Sequence, residues 1–211
     1  MKIKKFTFNS FQENTYIISS KKKCMIIDPG CQNTAEKDSL VNYIEENELI
    51  PVELINTHCH IDHIFGNNFI SRKYNLTAKI HRKDLPLINK AVDIAKIYNV
   101  ELDPPPLNVN FLKENDVVTI GETSWQILFT PGHAPGHICL LNRLNKKIIV
   151  GDVLFFMSIG RTDLPGCNHN DLINSIKNKL FVLDDDIEVY CGHGNNTTIG
   201  FEKNNNPFLK V

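Results

Sequence analysis

No stretch of this chain approaches the roughly 18 consecutive apolar residues that a membrane-spanning helix requires, so no membrane partner is expected. The opening Met1-Lys2-Ile3-Lys4-Lys5 is basic but has no apolar core behind it, and it does not read as a secretory signal. An excess of one charge sign is also missing. Lys and Arg number 23 against 24 Asp and Glu, a net charge of -1, which gives no electrostatic reason to expect nucleic acid. Six cysteines stand at 24, 31, 59, 139, 167 and 191, yet none forms a C-x-x-C pair. Without a signal, that usage predicts reduced thiols in a cytoplasm rather than a disulfide framework. There is no G-x-S-x-G element to carry a nucleophilic serine. Solenoid-period repeats are absent, and the only biased run is the short Asn204-Asn205-Asn206. What remains is 211 residues of ordinary composition, enough for one domain, 1–211, with a sizeable core.

Hydrophobic periodicity divides that length into alternating elements. Strands are expected at 4–8, 15–19 and 25–28, then a helix at 36–47 with Leu40, Val41 and Ile44 on one face. Pro51 opens another strand, and 77–81 reads as a further one. The stretch 84–98 carries Leu87, Ile88, Ala91, Ala95 and Tyr98 at the helical period. Asp103-Pro104-Pro105-Pro106 suits neither helix nor central strand, which suggests an exposed lid or the point where the chain changes halves. Strands follow at 117–120, 125–130, 138–141 and 147–150, a helix at 171–180, and a last strand at 188–191. Periodicity alone therefore predicts α/β or α+β.

Against this background one segment stands out: His58-Cys59-His60-Ile61-Asp62-His63. It follows an apolar run, 52–56, and precedes a segment with helical spacing of Phe65, Phe69, Ile70 and Tyr74. A strand-to-helix turn lets alternate side chains point into one cavity. Imidazole and carboxylate are ligands for zinc and neighbouring divalent metals. Three His and one Asp exceed what a single open site takes from one short loop, which favours two metals side by side. Three more apolar runs stop at the same residue types: Gly132-His133, Gly151-Asp152 and Gly192-His193. Each glycine permits a tight turn, so the next side chain can swing into a site at the strand's end. Cys59 should point away from His58 and His60 if the loop is extended, and so fill structure rather than bind metal.

This constellation resembles the metallo-β-lactamase superfamily of hydrolases, in the family's order from position 28 to 193. The resemblance implies an αββα sandwich with the metal site at one edge of two sheets. It implies that His58, His60 and His133 hold one metal, that Asp62, His63 and His193 hold the second, and that Asp152 bridges them. Further motifs, Phe11-Gln12-Glu13-Asn14-Thr15-Tyr16, Gly160-Arg161-Thr162-Asp163-Leu164-Pro165-Gly166 and Gly192-His193-Gly194, resemble the short hydroxyacylglutathione hydrolase, or glyoxalase II-like, type. The cofactors implied are two divalent ions, zinc with iron or manganese able to substitute. They would share a hydroxide that attacks a small thioester such as S-lactoylglutathione, with Asp62 and Asp152 acting through it. Longer members of that type use basic residues of a C-terminal helical domain to grip glutathione. After His193 this sequence offers Lys203 and Lys210, so a weaker hold is expected. Alternatives within the superfamily are a mononuclear iron persulfide dioxygenase and a hydrolase of another ester or lactone.

Five residues outside the ligand set carry weaker expectations. His137 reads as a structural neighbour of the site more than as a ligand, because Pro135-Gly136 breaks any helix that would align it with His133. His81 and His169 read as surface or capping groups. Asp28 in Ile27-Asp28-Pro29-Gly30 is equally suited to orienting a ligand His and to stabilising its own turn. Arg161 could pair with a substrate carboxylate, or with Asp163 in its own loop.

Overall fold

The structure, a computed structural model, describes residues 1–210. Its first half builds β1 (Lys2–Phe8), β2 (Glu13–Ser20), β3 (Lys23–Ile27), α1 (Thr34–Glu46), β4 (Ile50–Ile55), α2 (Asn67–Tyr74), β5 (Ala78–His81), α3 (Leu85–Ile97) and β6 (Asn110–Leu112). These strands pair in the order β1-β2-β3-β4-β5-β6. The second half builds β7 (Val117–Ile120), β8 (Thr123–Phe129), β9 (Ile138–Asn142), β10 (Lys147–Gly151), a small hairpin of β11 (Leu154–Phe155) and β12 (Ser158–Ile159), α4 (His169–Ser175), β13 (Glu188–Cys191), β14 (Thr197–Thr198) and α5 (Ile199–Asn205). Its sheet runs β14-β13-β10-β9-β8-β7.

Side-chain alternation explains why the two sheets stack with helices outside. On β3, Met25 and Ile27 face the second sheet, meeting Trp125, Ile127, Leu140 and Ile149. Cys24 and Ile26 face the other way, against Leu40 and Ile44 of α1 and Ile70 of α2. The second sheet repeats the pattern. Leu141, Ile148, Val150 and Val189 turn outward onto Leu172, Ile176 and Leu180. Strands buried on both faces read as continuous apolar runs, as these do. The layers are α, β, β, α, as expected.

The helices begin where capping chemistry places them. Asn33 accepts from the Glu36 amide and Glu36 reaches back to the Asn33 amide, so α1 starts two residues before the expected 36. The helix expected at 171–180 starts at His169, capped by Asn168, and its last five residues, Ile176–Leu180, widen into a π-helical turn. The cap is therefore Asn168, and His169 is the first helical residue. The proline-rich stretch is not where the chain changes sheets. After it β6 still joins the first sheet, and the crossing comes between β6 and β7. Instead, Asp103 accepts a hydrogen bond from Asn68 of α2 at 2.6 Å. Among the described residues no helix is long and apolar enough to cross a membrane.

Candidate metal centre

Strand direction decides where the site forms. β3, β4, β5 and β6 are mutually parallel, and β10 is parallel to β13. β9 runs against both β8 and β10, so β8 points the same way as β10. The carboxyl ends of β4, β8, β10 and β13 meet at one edge of the sandwich, the usual place for a site where parallel strands end. They deliver His58 to His63, His133, Asp152 and His193 respectively. The carboxyl end of β3 adds Asp28, and the start of the antiparallel β2 adds Glu13.

Two glycines make the approach feasible. Gly151 has φ of 48°, and a Cβ there would strike the Thr57 hydroxyl. Gly192 lies so close to Asp152 that a side chain would collide with its carboxylate.

The ligand-type atoms fall into two neighbouring groups. One atom each from His58, His60 and His133 lie within 4.8 Å of one another, and so do one each from Asp62, His63 and His193. His60 Nδ1 is 2.9 Å from His133 Nε2, and His63 Nε2 is 3.3 Å from His193 Nε2. Asp152 faces both groups. Its Oδ2 is 3.4 Å from His133 Nε2 and 3.4 Å from His193 Nε2, and its Oδ1 is 3.5 Å from His63 Nε2.

Contacts on the far side of four of the five rings face Nδ1 outward and leave Nε2 toward the cluster, whereas His60 turns its Nδ1 inward. His133 Nδ1 donates to the Arg161 carbonyl at 2.9 Å, and His193 Nδ1 to the Phe11 carbonyl at 3.0 Å. His58 Nδ1 lies 3.2 Å from the Thr57 hydroxyl, whose own proton goes to Asp28. His63 Nδ1 faces Asp28 Oδ2 at 3.2 Å. The Nε2 atoms of all four rings are left pointing at one another and at carboxylates. His58 Nε2 and Asp152 Oδ1 are buried with no hydrogen-bond partner. Lone pairs aimed at carboxylate oxygens repel unless positive charge stands between them. The donor set and the orphaned atoms thus fit divalent cations. A third grouping, Asp28 with His58 and His63, is also within reach. However, Asp28 already accepts from the Thr57 amide at 2.7 Å and the Thr57 hydroxyl at 2.6 Å, so it orients ligands rather than binding.

Comparison with known proteins gives the family. The family model described as Metallo-beta-lactamase superfamily matches residues 9–193. This chain belongs to that superfamily. Its relatives include "Hydroxyacylglutathione hydrolase GloC" of Haemophilus influenzae, 35% identical over 99% of this chain and 98% of the relative. "Probable metallo-hydrolase YqgX" of Bacillus subtilis is 32% identical over 99% and 98%. Among solved structures, BLEG-1 B3 metallo-beta-lactamase superposes with a TM-score of 0.91 at 30% identity, covering 100% of both chains. TTHA1623 in a di-iron-bound form gives 0.89 at 34%, covering 97% and 99%. Superfamily members bind divalent metals in a His/Asp cluster such as this one.

The electrostatics of this edge divide the cluster in two. Burial opposes charge on His63, but the Asp62 and Asp152 carboxylates outweigh it and push its pKa well above the usual value. Burial likewise opposes ionisation of Asp152, and the charge of His63 outweighs it, holding Asp152 well below the carboxylate range. His193 is pushed up to about 10 by Asp152 and Asp62 against the opposing effect of burial. His58 and His60 go the other way. Burial, then the neighbouring imidazoles, lowers both, His60 to about 3. One half of the pocket thus demands positive charge, which protons or a cation can supply, while the other keeps neutral imidazoles with free lone pairs.

The residues outside the cluster are equally informative. Cys59 is buried among Ile61, Phe65, Ile80 and Ile88, pointing away from the metal-type atoms as alternation predicts. Cys59→Ala is expected to leave metal content unchanged and cost about 1 kcal/mol of stability. Elemental analysis and a denaturant titration read the two effects separately. His137 accepts the Asp152 amide at Nε2 (3.1 Å) and turns Nδ1 to Thr130 Oγ1 (3.2 Å). Both nitrogens are engaged, so it shapes the Asp152 turn. His81 accepts from the Lys83 amide and stacks on Phe129, a capping role. Arg161 pairs bidentately with Asp163 at 2.6 and 2.7 Å, exposed to solvent, and its backbone carbonyl orients His133.

Sequence reasoning gave no role to several residues that shape the site. Asn14 donates to the carbonyls of both Cys191 and Gly194, at 3.0 Å each, and so brackets His193. Glu13 is buried beside His63, and burial pushes its pKa well above the ordinary value. Asp84 ties Cys59 to Gly136. The signals for Glu13 and Asn14 were the 11–16 motif itself and its polar residues where β2 enters the core; Asp84 had none.

Proposed function

We propose that the chain is a dinuclear metal-dependent hydrolase of small thioesters, with S-lactoylglutathione or another 2-hydroxyacyl glutathione as its substrate. The observation that carries this reading is the pair of three-ligand groups that Asp152 faces together. In it His58, His60 and His133 hold one ion, Asp62, His63 and His193 the other, and Asp152 fixes their spacing. The likeness to the Haemophilus protein described as a hydroxyacylglutathione hydrolase supports the thioester class.

The bound ions, zinc with iron or manganese able to substitute, would supply an activated water and polarise the substrate carbonyl. The chain's own residues do the positioning. Asp28 and Thr57 keep His58 and His63 in the tautomer that presents Nε2, and the Arg161 and Phe11 carbonyls do the same for His133 and His193. A thiolate leaves readily, so thioesters should be cleaved far faster than amides.

The structural likeness to a B3 metallo-beta-lactamase makes β-lactams the second substrate class to test. Metal-replete protein should turn over S-lactoylglutathione and simple acyl thioesters. β-Lactam hydrolysis without thioester turnover, or oxygen consumption with glutathione persulfide, would overturn the assignment. If Arg161 exchanges Asp163 for a substrate carboxylate, Arg161→Ala raises KM while kcat stays near wild type, the pattern of lost uniform binding. An unchanged KM would leave Arg161 as a loop-shaping residue only.

A further inference from the structure

Asp84, fully buried just before α3, does something the mechanism above does not use. Its Oδ2 accepts the Cys59 amide at 2.9 Å and its Oδ1 accepts the Gly136 amide at 2.5 Å. Cys59 lies between His58 and His60 in the loop after β4. Gly136 lies three residues past His133 in the loop between β8 and β9. The two loops come from different sheets, and one carboxylate spans them. A Cβ on Gly136 would collide with that carboxyl group, so only glycine presents its amide this closely. The connection continues inward, because His137 follows Gly136 and accepts the Asp152 amide.

No cation lies within ion-pair distance of Asp84 among the described residues. Burial pushes its carboxyl up to about 7 despite the two amide donors. An apolar residue would sit there at less cost in desolvation but could accept neither amide. Asparagine keeps the shape but turns an NH2 toward one of them. Both facts favour a positional role over simple core filling.

We propose that Asp84 is a positioning residue whose carboxylate sets the separation of His58 and His60 from His133, and thereby the affinity of that metal position over the other. The inference rests on the dinuclear reading proposed above. It differs from the roles of Asp28 and Thr57, which touch the ligand rings themselves, because Asp84 acts only through backbone amides.

The test is chelator competition on metal-loaded, full-length protein. Wild type, Asp84→Asn, His133→Ala and His193→Ala are compared, the last two identifying which release step belongs to which position. In Asp84→Asn the step sensitive to His133→Ala should weaken about 10-fold, the low end for residues supporting a metal ligand. The step sensitive to His193→Ala should stay within about twofold of wild type. Equal weakening of both steps would mean general loosening of the fold, and no weakening would mean the latch is irrelevant; either overturns the proposal. Wild type holding fewer than two ions would instead sink the dinuclear reading. A single ion lost on His133→Ala yet untouched by Asp84→Asn would still refute the role of Asp84. Amide hydrogen exchange in loaded wild type gives a readout independent of the variant's folding. The Cys59 and Gly136 amides should be strongly protected, and exchange at the rate of exposed loop amides would likewise refute the latch.

Discussion

Asp152→Ala is expected to strip at least one metal ion and lower thioester turnover by about 10³-fold, roughly 4 kcal/mol of barrier. Asp152 is the one carboxylate that faces His133 on one side and His63 and His193 on the other. Its removal leaves two clusters of imidazole lone pairs with nothing between them. It also removes the negative charge that raises the pKa of His63 and His193. Elemental analysis of the purified variant, beside a thioester assay, checks both parts. A variant that keeps two ions and most of its turnover would show that the ions do not share this residue. The Gly151 turn stays intact in the variant, because its backbone is held by His137 and the Asp152 amide rather than by the side chain.

Trp125→Ala is expected to do the opposite, costing about 3–5 kcal/mol of stability while leaving the ligand geometry in place. Trp125 is the largest fully buried side chain and packs between the sheets against Met25, Ile27 and Ile120. Its Nε1 has no hydrogen-bond partner, so its contribution is apolar burial. For a domain of this size the midpoint of thermal unfolding should fall on the order of 10 °C. Metal stoichiometry measured well below that midpoint should be unchanged. Loss of metal at low temperature would mean that the core between the sheets and the metal edge are more tightly coupled than their separate contacts indicate.

The metal-type residues were legible because each ends an apolar run and each is preceded by glycine or clustered in one loop. Strand termini are marked locally, by composition, and the ligand chemistry restricts residue type. The longer helices were legible to within two residues for a similar reason, since Leu40, Val41 and Ile44 bury one helical stripe. Elements without a repeat to read were missed: β6, the β11–β12 hairpin, β14 and α5. Two- and three-residue strands exist only because a neighbouring strand pairs with them.

Orientation was illegible for a deeper reason. Asp28 could equally have stabilised its own turn, and Arg161 could have faced a substrate. Asp28 takes partners far away in sequence, Thr57 and His63, whereas Arg161 takes Asp163 two residues on, a choice made only once the loop has folded. Asp84 carried no signal at all, because acceptance of two backbone amides imposes no pattern on the sequence around it.

By itself the sequence determined that seven metal-type side chains stand at strand ends, that Cys59 turns away from them, and that the layers alternate in helix and strand. Those are consequences of local periodicity and of residue chemistry. Only the tertiary structure decided that four strand ends point the same way, that four of the rings turn Nδ1 outward to carbonyls, to Thr57 and to Asp28, and that one buried carboxylate joins loops from two sheets. These depend on strand direction and on long-range hydrogen bonds, which take effect once the sheets have packed face to face and excluded water from the polar groups between them.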